Sequence, residues 1–272
     1  MAHRACDSYY KFKNENERER EMLETLQNRF AQKTVFIVDS CMMETALYNK
    51  RVKSPLLSGL RGLQEIMVSD IYIEMAAVES ARELLRAPTF SLVVPLEVRD
   101  EIEEYAAHLR RTEKYFRYHS PQFQRRHSET QKKERETLAA LRQHVGLLRS
   151  FHQESVGFDP RYFQERNTLE PIDTSDRTYE EISECYRRIA MARHMRKGQD
   201  LSYADVAIAT LSYLINTQQK RDVCILTRDY DFRHMALAAT PRAKLEESSD
   251  EHGILSAISS PSYSLTIFMP RL

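Results

Sequence analysis

Residues 222–233 read D-V-C-I-L-T-R-D-Y-D-F-R, a short apolar run from Val223 to Thr227 that passes directly into Asp229 and Asp231. A strand covered on both faces is continuously apolar, and its carboxyl end is where open α/β sheets gather ligands. The two aspartates therefore read either as turn residues or as chemistry. Residues 34–40, T-V-F-I-V-D-S, repeat the pattern in a β-branched run ending at Asp39. A further buried strand is expected at 91–95 (S-L-V-V-P), and a last strand, stopped by proline, at 264–270.

Helical spacing fills the intervals. It predicts helices from about Ser69 to Arg86, from Glu97 onward with Val98, Ile102 and Tyr105 on one face, and from about Tyr179 to Arg196. Residues 202–215 are apolar almost all round and so predict a buried helix. Strands alternating with helices of this length predict a mainly parallel α/β sheet. Residues 14–32 mix charges at helical spacing around Met22, Leu23, Leu26 and Phe30, so 1–33 reads as an N-terminal helical extension to a domain over 34–272. Within that domain 105–178 reads as an insertion, long and helical to about His152 and irregular beyond.

The chain has 272 residues with 40 basic and 40 acidic side chains, so net charge favours neither nucleic acid nor membrane and any binding surface must be local. Cys6, Cys41, Cys185 and Cys224 show no C-x-x-C spacing and read as reduced thiols of a cytoplasmic protein. The first residues have no apolar leader, and no apolar run approaches membrane-spanning length, so no membrane partner is expected.

Four elements deliver acids toward one edge of the expected sheet: Asp39, Glu101, Asp205, and Asp229 with Asp231. Each also has a plain structural reading. Asp39 precedes a helical stretch that it could cap, and Ser202 with Asp205 forms a capping-box-like S-x-x-D. Glu101 lies among Glu97, Asp100, Glu103 and Glu104, where a solvated acidic face is the alternative. Converging carboxylates repel one another, so together they make sense around a hard divalent cation such as Mg²⁺ or Mn²⁺. Oxygen ligands of this kind leave coordination positions for a phosphate and a water, which suits phosphodiester hydrolysis.

The ordered segments V-F-I-V-D-S, V-P-L-E-V-R-D-E-I, L-S-Y-A-D-V-A-I-A-T and I-L-T-R-D-Y-D-F resemble the acidic motifs of the PIN-domain nucleases, over about 34–105 and 179–235. The resemblance implies a three-layer fold with a central, mainly parallel sheet of 4–5 strands flanked by helices. It implies a Mg²⁺- or Mn²⁺-dependent endoribonuclease acting on single-stranded RNA. Asp39, Glu101, Asp205 and Asp229 would be the metal and catalytic acids, Asp231 an accessory ligand, and Glu97 the weaker choice for the second position. Ser40, Thr227 and Arg228 would support the site. Cys41 follows Ser40 where the family usually has Asn or a small residue, and the short bacterial toxins of the family lack anything like 105–178.

That insertion is locally basic. Arg110, Arg111, Lys114, Arg117, Arg125, Arg126, Lys132 and Lys133 are expected to track a phosphate backbone, with Tyr115, Phe116, Tyr118 and Phe123 interleaved to stack bases. The alternative is a solvated helical hairpin whose aromatics pack inward or against a second copy, giving a homodimer. An inhibitory protein partner is also compatible. Two other functions remain open: a PIN-like scaffold or nucleic-acid-binding module without turnover, and a structure-specific flap-type DNA nuclease whose insertion gates the substrate.

Overall fold

The first strand, β1 (Val35–Val38), is buried along its whole length, as expected of four β-branched or aromatic residues with no polar face. It and all that follows come from a computed structural model, which describes residues 34–43, 68–87, 91–119, 128–162, 169–197, 202–227, 246–247, 254–259 and 264–268. β1 pairs in parallel with β2 (Ser91–Val93) on one side and β3 (Val223–Leu226) on the other. β3 continues in parallel into β6 (Ser264–Phe268), which pairs antiparallel with β5 (Ile254–Ser259), and β5 with β4 (Glu246–Glu247). The sheet order is β2-β1-β3-β6-β5-β4.

The class is therefore mixed α/β, with parallel strands flanked by helices. Among the described residues the sheet has six strands where 4–5 were expected, and its far edge is antiparallel. The difference has a sequence cause. I-L-S-A-I-S is interrupted by serines and lacks the unbroken apolar run that marks β1 and β3, while the two-residue β4 is too short for any periodicity to register.

The helices are α1 (Val68–Arg86), α2 (Leu96–His119), α3 (Ser128–Glu154), α4 (Arg177–Lys197) and α5 (Tyr203–Thr217). The expected leading helix at 14–32 lies outside the described residues. None of the described helices is long and apolar enough to cross a membrane.

By contact the chain divides into two units. The unit that holds the strands comprises, among the described residues, 34–42, 84–87, 91–101 and 155 onward. Its core joins Phe36, Ile37, Leu92, Val93 and Ile225 with α5, which is buried nearly all round. The polar side chains on α5 are satisfied locally: Thr210 and Ser212 donate to the carbonyls of Val206 and Ile208, and Asn216 donates to that of Arg221. This is how an almost wholly buried helix keeps its few polar groups without an unpaired-donor penalty.

The other unit contains, among the described residues, 43, 68–83, 102–119 and 128–154. Ile71, Met75, Ile102, Leu109, Leu141, Leu148 and Phe151 are buried in it. At its centre Glu74 of α1 accepts a hydrogen bond from the Tyr105 hydroxyl of α2 (2.6 Å) and lies 2.9 Å from His144 Nε2 of α3. Nδ1 of His144 is buried with no hydrogen-bond partner among the described residues.

The helices expected to form a polar arm are less uniform than their composition. Phe116 is fully buried against Leu138, and Tyr115 packs on the pair. Glu113, only 3% exposed, takes hydrogen bonds from Arg117 on α2 and from Arg142 on α3 (2.5 Å). Burial acts to raise the Glu113 carboxyl, but the two guanidinium groups outweigh it and hold the group below its ordinary value. A carboxylate whose folded-state affinity for protons is lowered contributes stability above its unfolded value and loses it as pH falls. Native stability should therefore decline below about pH 4.5, and Glu113→Gln should flatten that acid limb while lowering stability at pH 7, as read by urea titration across pH. An unchanged acid limb would show that the cluster adds nothing.

Candidate functional site

The register of β1 on β3 builds the first half of the site. Val38 pairs with Leu226, and the ladder extends one residue further, Asp39 N donating to Leu226 O at 3.0 Å. The next residues on the two strands are Asp39 and Thr227, side by side at the carboxyl edge with side chains on one face. Thr227 Oγ1 donates to Asp39 Oδ2 at 2.6 Å. Asp39 is 2% exposed, so its carboxylate is held inside the protein rather than at a solvated turn.

The chain then tightens into a 3-10 turn, Ser40–Met42, with Met42 N donating to Asp39 O. That turn aims two more side chains at the acid. Cys41 Sγ donates to Asp39 Oδ2 at 2.7 Å and lies 3.1 Å from Thr227 Oγ1. Ser40 Oγ stands 3.5 Å from Asp39 Oδ1 and 2.6 Å from Glu101 Oε2. A hydroxyl has one proton to give, so the short contact to Glu101 is the bond.

Glu101 sits in the second turn of α2, and its other oxygen accepts from Ser202 Oγ at 3.2 Å. Ser202 is the N-cap of α5, with an extended backbone and its oxygen accepting from Asp205 N at 3.2 Å. The capping reading of Ser202 is thus realised, and the same hydroxyl also serves Glu101. Asp205 is buried in the first turn of α5, where the helix N-terminus favours negative charge. A chain of hydroxyl bridges, Ser40 and Ser202, so links the segments that carry Asp39, Glu101 and Asp205.

Glu97, the other acid considered for the second position, goes elsewhere. It pairs with Arg161, which also binds Asp159 and the Tyr179 hydroxyl (3.0 Å). Arg161 and Asp159 side chains are each 2% exposed. Burial alone would favour the neutral guanidine, but the hydrogen bonds that Arg161 donates to Glu97 and Asp159 reverse the balance and keep it charged. Asp159 also accepts from Leu96 N, the first backbone donor of α2 (2.8 Å). This cluster fixes where α2 begins, and therefore where its second turn places Glu101. Nothing in the sequence spacing marks Arg161 or Asp159, which lie in the irregular stretch after α3.

Asp229 and Asp231, and Arg228 expected to hold phosphate, lie outside the described residues, as do Arg125 and Arg126. Arg110, Arg111, Lys114 and Lys132 are exposed, whereas Arg117 is engaged by Glu113. Among the described residues no group of three or more His, Cys, Asp and Glu side chains is arranged as a metal-holding cluster. In kind, the donors present fit a hard cation, being carboxylate and hydroxyl oxygens with one thiol. No protein-family model, curated protein or solved structure matches the chain.

Arg161→Met should leave Asp159 as a buried charge without its partner, at a cost of about 3–5 kcal/mol in urea unfolding. A loss below about 1 kcal/mol would mean that the cluster does not anchor α2.

Proposed function

We propose that this chain is a PIN-like, Mg²⁺- or Mn²⁺-dependent endoribonuclease that hydrolyses phosphodiester bonds in single-stranded RNA. The reading is carried by one observation: two serine hydroxyls tie together the segments bearing Asp39, Glu101 and Asp205, three acids delivered by β1, α2 and α5. Asp39 and Glu101 would hold the cation, with Asp205 and, from the segment after β3, Asp229 and Asp231 completing the set. When bound, the cation neutralises the acids and the phosphate and acidifies a water.

The chain's own residues perform the rest. Thr227 and Cys41 fix the Asp39 carboxylate in one orientation through Oδ2. Ser40 and Ser202 do the same for the two oxygens of Glu101. Preorienting oxygens in this way removes reorganisation from the binding step and sets the spacing at which a phosphate oxygen can be received. Arg228, next to Thr227 in sequence, would meet the negative charge of the phosphate.

The same hydrogen bonds favour a second reading, a PIN-like scaffold without turnover, because hydroxyls that saturate carboxylate oxygens also suit a purely structural polar cluster. Metal titration separates the two. On the nuclease reading, saturating Mn²⁺ raises the melting temperature of the native chain by roughly 5 °C, and Asp39→Asn removes that rise. A native chain that shows no rise with Mn²⁺ or Mg²⁺ is the scaffold.

Cleavage itself gives the complementary test. With Mn²⁺ and a labelled single-stranded RNA, Asp39→Asn, Glu101→Gln and Asp205→Asn should each lower the rate by about a hundredfold or more while the circular dichroism spectrum stays native. Full activity in any folded one of them removes that acid from the site. Cutting of flapped DNA but not RNA would assign the substrate to the flap-nuclease class.

A further inference from the structure

The structure separates the basic residues of α2 into two populations. Arg117 is consumed by Glu113, which Arg142 also binds, and this cluster joins α2 to α3. Arg110, Arg111 and Lys114 are exposed and have no hydrogen-bond or ion-pair partner among the described residues. Lys114 stands four positions from Arg110 and three from Arg111, so that its charge faces each of theirs along one side of the helix. Like charges at this spacing oppose helix formation, and the helix dipole does not account for them, because its influence fades within the last turn. Tyr118 follows Lys114 by four residues on the same face and is 81% exposed. The two neighbouring aromatics, Tyr115 and Phe116, turn inward to Leu138.

We infer that the Arg110–Arg111–Lys114–Tyr118 face of α2 is a docking surface for the sugar–phosphate backbone and one unstacked base of single-stranded RNA. A polyanion supplies the charge complement that this face lacks among the described residues. The exposed ring supplies what a lipid headgroup surface or an acidic peptide would not specifically need, a flat platform for a base. The mutual repulsion of the three cations is relieved on binding. The inference rests on the nuclease reading in taking the docked strand to be the substrate, but the contact itself requires no metal.

Binding is therefore measured in EDTA, by fluorescence anisotropy of a labelled 20-nucleotide oligouridylate with the full chain over a range of salt concentrations. Arg110→Glu/Arg111→Glu/Lys114→Glu should bind at least about thirtyfold more weakly and reduce the logarithmic salt slope by about two, the release expected for three phosphate contacts. Arg110→Gln/Arg111→Gln/Lys114→Gln should reduce the slope equally and carries the measurement if charge reversal impairs folding. Tyr118→Ala should weaken binding about tenfold with no change in slope, since stacking displaces no counterions.

The inference is overturned if the triple variants bind as the native chain does, or if the native chain does not bind the oligonucleotide. It is equally overturned if the native chain binds phosphatidylserine vesicles through these residues in place of RNA. Because no cleavage is read, failure here leaves the assay of Asp39→Asn standing, and failure of that assay leaves this one standing.

Discussion

The geometry of the site depends on the parallel register of β1 against β3. A shift of one residue would turn either Asp39 or Thr227 to the opposite face of the sheet, and the 2.6 Å hydrogen bond between them would be impossible. The register is secured by burial on both faces: Phe36, Ile37, Cys224 and Ile225 are each at most 1% exposed, so no alternative pairing leaves the apolar set covered. Placement of the Asp39 carboxylate and core packing are thus the same constraint read at two levels. What fills the sheet also fixes the first carboxylate.

Beyond that edge, small hydroxyl side chains carry the arrangement. Carboxylates brought from separate elements repel one another on close approach, and a neutral hydroxyl can satisfy an acid's oxygen without adding charge. Ser40 and Ser202 each donate to one oxygen of Glu101, and Ser202 also accepts from the Asp205 backbone N. The ion-pair cluster of Arg161, Asp159 and Glu97 works one step further out, setting the first turn of α2 rather than any acid directly.

Much of this order is legible in the sequence, and the reasons for the exceptions are physical. The continuous apolar runs of β1 and β3 and the all-round apolarity of α5 announce burial, so those elements lie where periodicity puts them. Ser202 is visible as a cap because S-x-x-D is a local signal, but its bond to Glu101 spans about a hundred residues and leaves no local trace. Arg161 is invisible for the same reason. In α2 the composition misleads: Tyr115, Phe116 and Tyr118 look equivalent in a basic segment, yet the helical turn sends the first two inward and the third outward. Glu113, which reads as one acid diluting a basic stretch, is instead the charge around which two helices meet.

The buried trio in the helical unit has a consequence of another kind. Glu74, Tyr105 and His144 come from three different helices, and one imidazole nitrogen has no hydrogen-bond partner among the described residues, so the trio is costly as an energy source. Its value lies in alignment. Leucine and isoleucine stripes tolerate a helix sliding by one turn, because one apolar side chain replaces another, whereas a one-turn slide of any helix here would break a hydrogen bond to the buried Glu74 carboxylate. The trio therefore acts as a vernier on an otherwise slippery core, trading depth of the native minimum for its uniqueness.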